Sequence, residues 1–255
     1  MPRMPVVFVS HGSPMTALQE DDYAEALRSA GRRLPRPRAI VVVSAHWESG
    51  PPLRVTGAAR PDLVYDFSGF PDELHRLTYP APGEPDLARR IASRLSARVD
   101  EGRGLDHGVW VPLRRLFPAA DLPVVAVSIG RRTPPAEHLA TGEALGFLRE
   151  EGVLLVGSGG VVHNLGRVDF EDASAPVDGW AREFDDWVRA RLERGEVDRL
   201  REYRHQAPHA DRAVPTSEHF DPLLVTVGAG GGGRVVDLYA GFRHANLSMR
   251  SFWIE

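Results

Sequence analysis

The chain has 255 residues, of which 42% are hydrophobic and 26% charged, with a net charge of −4 and no cysteine. That length buries a sizeable core, while mild acidity without a basic stripe argues against a nucleic-acid surface. The missing cysteine removes disulfides, thiolate nucleophiles and cysteine-ligated zinc or iron–sulfur sites. In chain order, apolar strand candidates fall at Val6–Ser10, Ala39–Ser44, Val124–Ile129 and Val153–Gly157. Helical patterns lie between them at Asp22–Arg32, Pro85–Ala97 and Pro135–Glu150. Strands alternating with helices predict an α/β fold with a mainly parallel central sheet and helices on both faces. Asp178–Gly195 reads as an amphipathic helix with Trp180, Phe184, Trp187, Val188 and Leu192 on one face. Pro215–Gly230 reads as a loop, capped by Ser217, that leads into a buried helix. The tail after Arg234 reads as two strands forming an antiparallel C-terminal edge. With no repeat and no long polar linker, the expectation is a single domain over residues 1–255.

No apolar run approaches the ~20 residues of a membrane span, and "MPRMPVVFVSHGSP" leads into the first strand without a secretory signal pattern. The expectation is a cytoplasmic protein that binds neither membrane nor nucleic acid. Two glycine-rich stretches fail as motifs. "AGGGGR" (Ala229–Arg234) lacks the Lys-Ser/Thr ending of a phosphate loop, and "GSGG" (Gly157–Gly160) lacks the first glycine of a nucleophile elbow.

The ten histidines divide into groups. His11 in "SHGSP", His46 in "SAHW" and His163 in "GSGGVVHNL" each follow an apolar strand candidate by a few residues at most. Carboxyl ends of parallel strands point one way, so these three arrive at one rim, where open α/β sheets place their ligands. His219 in "TSEHF" can join them from the start of the following helix. Imidazole is the commonest ligand for zinc and suits iron, and catalytic sites combine three protein ligands with an open position. A single histidine after a strand is more often a hydrogen-bonded loop residue, and repetition carries the signal here. His107, in "LDHGVWVPL", is intermediate: Asp106 reads as a helix cap, and the turn can bring His107 to the rim. His75, His138, His205, His209 and His244 read as solvated or structural.

Taken together, "HGSPM", "RPRAIVVVSAHW", "YDFSGFP", "YPAPG", "DHGVWVPL", "GSGGVVHNL" and "PTSEHFDPLL" resemble, in order, the 4,5-DOPA dioxygenase branch of the class III extradiol ring-cleavage dioxygenases. The resemblance implies a non-haem divalent metal, Fe(II) for turnover or Zn(II) as isolated, in a cleft at the sheet rim. It implies a small aromatic diol and O2 as substrates, with the ring opened beside the two hydroxyls. It also implies His11, His46 and His219 as metal ligands, with His163 an acid/base or a fourth ligand and His107 an active-site residue beside the catechol. Many extradiol enzymes use two histidines and one carboxylate. This branch puts a histidine in the carboxylate's place, and Glu218 beside His219 is the alternative ligand. His163 is expected to lead proton transfer with His107 assisting, since imidazole titrates near operating pH. Trp47, Phe67, Phe70 and Trp110 are candidates for the ring pocket, at least two of them for the core instead. The competing readings are a zinc-dependent hydrolase of a small amide or ester, because three histidines can also generate a metal hydroxide, and a protein with a purely structural metal.

Overall fold

The computed structural model describes residues 3–255. Four parallel strands form its centre: β1 (Val6–Ser10), β2 (Ala39–Ser49), β5 (Val124–Gly130) and β6 (Val153–Gly159). Two short strands, β3 (Arg54–Thr56) and β4 (Arg98–Asp100), extend one edge. The chain closes the other edge with β7 (Val235–Tyr239) and β10 (Ser251–Ile254), and β8 (Phe242–Arg243) with β9 (Leu247–Ser248) makes a separate ladder. The eight-stranded order is β4-β3-β5-β2-β6-β1-β10-β7. As expected, the carboxyl-terminal strands are antiparallel: β10 pairs against both β1 and β7.

The central strands read as unbroken apolar runs because both faces are covered. Val7, Val9, Ile40 and Val42 pack beneath α1 (Asp22–Arg33) and α4 (His107–Leu116). Two short stretches intervene between these helices in sequence, α2 (Asp72–Arg76) and α3 (Pro85–Leu95). Val6, Val41, Val43 and Leu155 turn the other way, towards α3, α5 (Pro135–Leu145) and, near the end of the chain, α10 (Asp221–Gly230). A third cluster joins Phe8 and Phe252 to α6 (Gly179–Glu193) and to the small helices α7 (Val197–Arg201), α8 (Tyr203–Gln206) and α9 (Ala210–Ala213). On α6, Phe184, Val188 and Leu192 are buried, whereas Trp180 and Trp187 pack only at the margin.

Two capping expectations change. Asp106 stands at the N-cap position of α4 but makes no cap bond; its carboxylate instead accepts Ser44 Oγ at 2.6 Å and Arg103 Nη2 at 3.0 Å. Ser217 does not cap α10 with its side chain: its hydroxyl donates to Asp221 Oδ2 at 2.9 Å. His138 is buried, with its Nε2 3.4 Å from Asp221 Oδ2, which fits a structural role and rules out a solvated one. Among the described residues no helix is long and apolar enough to cross a membrane.

Candidate metal centre

Five histidines meet at the carboxyl rim of the parallel strands. His11 follows β1 directly, and Gly12 after it holds a φ of +64°, a turn that a side chain would strain. Tyr23 of α1 donates its hydroxyl to the Ser10 carbonyl and fixes the strand end from below. His46 lies inside β2, where pairing with β5 jumps from Ser44↔Ser128 to Glu48↔Ile129. This bulge re-aims the side chain out of the alternation of the strand. Arg103 braces the kink, donating to the His46 carbonyl at 3.3 Å with its guanidinium over the Trp47 ring. His107 opens α4. His163 lies four residues beyond β6, its backbone N–H bonded to Ala213 O at 3.0 Å. His219 precedes α10, and its carbonyl accepts Gly160 N–H at 2.8 Å. A Cβ on Gly159 would collide with that same carbonyl, so the "GSGG" stretch is glycine-rich to let the His219 segment land on the sheet.

The rings of His11, His46 and His219 are mutual neighbours, with centroids 4.8–5.2 Å apart. His107 lies 3.9 Å from His46 and 5.5 Å from His11, and His163 stacks flat on His219 at 3.4 Å. Nε2 of His11 and Nε2 of His46 approach to 3.0 Å. The Nδ1 atoms are engaged on the far side. His11 Nδ1 meets Ser158 Oγ at 3.1 Å, and Ser158 spends its only proton on Gly108 O at 2.5 Å, so His11 must be the donor. His107 Nδ1 donates to Asp66 Oδ1 at 2.8 Å, and Asp66 Oδ2 stands 3.5 Å from His46 Nδ1. His219 Nδ1 donates to Glu218 Oε1 at 3.1 Å, leaving its buried Nε2 with no partner among the described residues.

His11 Nε2 offers a lone pair to the 3.0 Å contact with His46, and the orphaned buried Nε2 of His219 is costly unless a cation sits among them. Two nitrogens on one ion, each bound at about 2.0–2.1 Å, lie at about this separation. The ligand atoms of His11, His46 and His107 fall within 4.8 Å of one another, as do those of His163, Glu218 and His219. Burial and the neighbouring imidazoles hold His11 well below the usual histidine range, His46 down to about 2 and His163 down to about 3. All three are neutral at physiological pH, the form that binds metal. The residues present fit a divalent ion.

Sequence reasoning brought all five histidines to this place. The sequence pattern assigns no role to Asp66 in "YDFSGFP" or to Ser158 in "GSGG". The carboxylate inside an aromatic run was the available signal for Asp66; nothing local marks Ser158. Of the aromatic candidates, Trp110 and Trp47 are core, whereas Phe67 stands 5.7 Å from His107 with Phe70 against it.

Fold and site define a histidine-lined centre able to hold a metal at the rim of a parallel sheet. Residues 5–250 match the family described as the catalytic LigB subunit of aromatic ring-opening dioxygenase. The chain is 40% identical to a 4,5-DOPA dioxygenase extradiol of Escherichia coli K12, across 99% of this chain and 95% of that one. It is equally 40% identical to a protein of the same name from Beta vulgaris, across 88% and 86%. The crystal structure of an uncharacterized Escherichia coli K12 protein, 38% identical, superposes with a TM-score of 0.84 over 99% of this chain and all of that one. The chain therefore belongs to the aromatic ring-opening dioxygenase family, and its class is that of the extradiol ring-cleavage dioxygenases. Family membership decides between the two enzyme readings, for ring opening and against hydrolysis.

Proposed function

We propose that this protein opens a DOPA-like catechol with O2, beside rather than between the hydroxyls, using one divalent non-haem ion held by His11, His46 and His219. The observation that carries the ligand assignment is the convergence of imidazoles at one point, with Nε2 of His11 and His46 3.0 Å apart and the buried Nε2 of His219 without a partner among the described residues. The catechol assignment is supported by relatives named 4,5-DOPA dioxygenase extradiol. A bound divalent ion supplies Lewis acidity that lowers the phenolic pKa, and Fe(II) adds the redox capacity that Zn(II) lacks.

The chain's own residues handle position and protons. His107 has its Nδ1 committed to Asp66, so Nε2 is the atom that accepts a hydroxyl proton. A base oriented by a carboxylate is the arrangement general-base catalysis needs. His163 lies against His219 on the other ligand ring and is neutral in the metal-free chain, which places a second imidazole beside the site for returning a proton to the opened product. Its stacked position also makes it the candidate fourth ligand when substrate is absent. Phe67 and Phe70 offer an aromatic wall beside His107 for the substrate ring.

The test is oxygen uptake. Protein loaded anaerobically with Fe(II), then given a catechol and air, is expected to consume O2 and form a yellow ring-opened semialdehyde. Protein loaded with Zn(II) is expected to do neither. Oxygen uptake by neither form across a catechol panel overturns the reading.

A further inference from the structure

The imidazole cluster is held by its outer edges. His11 Nδ1 donates to Ser158, His107 Nδ1 to Asp66, and His219 Nδ1 to Glu218, from three separate elements of the fold. The second oxygen of Asp66 faces His46 Nδ1. Asp66 is itself anchored by the His107 backbone N–H at 3.0 Å, and Glu218 by Thr216 Oγ1 at 2.8 Å. Neither carboxylate forms an ion pair with an arginine among the described residues; their ring partners are these histidines. Both are roughly three-quarters covered, with side-chain exposures of 21% and 24%.

An imidazole carries one proton when neutral, so a donor at Nδ1 is a lone pair at Nε2. Glu218 is thus disposed as an acceptor for the outer edge of His219, not as a substitute ligand. The charge count points the same way. A set of two histidines and one carboxylate brings a negative charge to a divalent ion, and a three-histidine set brings none. Here two carboxylates stand one bond further out.

We infer that Asp66 and Glu218 are positioning residues for the metal: with Ser158 they hold His11, His107 and His219 in the tautomer that turns Nε2 inward, and they supply from behind the rings the negative charge that the three-histidine set lacks. Partners of this kind raise ligand basicity, and their loss typically costs about 10–100-fold in metal affinity. The inference rests on the metal reading above but is tested without catechol or oxygen.

Two readouts serve: the histidine tautomers of metal-free protein, from the nitrogen NMR of labelled imidazoles, and the Zn(II) affinity, from competition with a chelating dye. Glu218→Ala is expected to release the Nδ1–H tautomer of His219 and to weaken Zn(II) by about 10–100-fold. Glu218→Gln keeps an oxygen that can accept and removes only the charge, so the tautomer is expected to persist while Zn(II) weakens by a smaller factor. Asp66→Asn presents an amide N–H to one of its two rings, and the proton of His46 or His107 is expected to move to Nε2. Residues that merely support the fold would move the unfolding midpoint and neither readout. Unchanged tautomers and Zn(II) affinity within about two-fold of wild type, in folded Glu218→Ala and Asp66→Asn, overturn the inference and leave the ring-opening proposal standing.

Discussion

The two ends of the parallel sheet bury polar groups in opposite ways. At the amino end Arg149, fully buried, donates to Met4 O at 2.7 Å, Ala229 O at 3.2 Å, Gly230 O at 2.8 Å and Ile254 O at 3.4 Å. It ties together the approach to β1, the end of α10 and the end of β10, and every partner is a backbone carbonyl. At the carboxyl end five imidazoles crowd together, two nitrogens face each other and a third has no partner. A satisfied buried network specifies structure, and an unsatisfied one stores cost that a ligand relieves. The first end is finished by the chain alone; the second presents donors that a divalent ion can satisfy.

The largest expected break in this contrast is His11→Ala or His46→Ala. Each should lose the bound ion and bring oxygen uptake to background, while the metal-free protein keeps its fold; elemental analysis and circular dichroism read both. Full metal occupancy in these variants would remove the site as drawn. His163→Gln and His107→Gln should keep the ion and slow turnover by about 10²–10⁴-fold. If His163→Gln sheds iron as completely as His11→Ala, His163 is a ligand and proton transfer belongs to His107.

The mirror experiment is Arg149→Met. Leaving several buried carbonyls unpaired, at about 1–3 kcal/mol each before relaxation, should cost about 3 kcal/mol or more in denaturant unfolding. Oxygen uptake per folded molecule should stay at the wild-type value. A matching loss of activity per folded molecule would show that the two ends are not separable.

Acid should separate them more gently. His46 and His163 titrate at about 2 and about 3 in the folded chain, against 6.5 for the free side chain. Above pH 6.5 both are neutral folded or unfolded and contribute no pH dependence. As pH falls below that, the unfolded chain takes up protons that the folded site refuses. Metal-free protein should therefore lose about 1.4 kcal/mol per pH unit for each such histidine, down to their folded pKa values. Asp66 and Glu218, both held near 2, add a further loss below about pH 4. Thermal midpoints of His163→Gln should fall less steeply between pH 6 and 4 than those of wild type. The smallest expected effect is Phe67→Leu, a loss of up to about 1 kcal/mol in catechol affinity, read as KM with little change in kcat.

How far the sequence revealed this arrangement follows from the reach of each interaction. The four central strands are buried on both faces, and that alone makes them apolar runs. The edge strands β3 and β4, three residues each, are too short to carry a period. His11, His46 and His163 were legible because strand direction converts position in the chain into position in space, whereas His107 and His219, at helix starts, were firm only through the family resemblance. Asp66 and Ser158 meet their rings across gaps between elements, which no spacing rule encodes; Glu218 is the chain neighbour of His219, but adjacency alone does not tell which edge of the ring it faces. His138, expected to be solvated or structural, is structural because its helix packs on α10 at Gly142 and Gly228, where a Cβ would strike the opposing backbone. So close an approach buries a face whose sequence looks only half apolar.

The bulge in β2 has a consequence for how this protein can change. Shifting a strand by one residue turns its whole core face outward, so the stretch from Ala39 to Ser44 tolerates no insertion or deletion. Between Ser44 and Glu48 the ladder with β5 is already interrupted by three residues, and His46 is the middle one. A substitution at position 46 therefore leaves the pairings on either side in register. A different ligand type can be tried at position 46 itself without shifting the strand that carries the core.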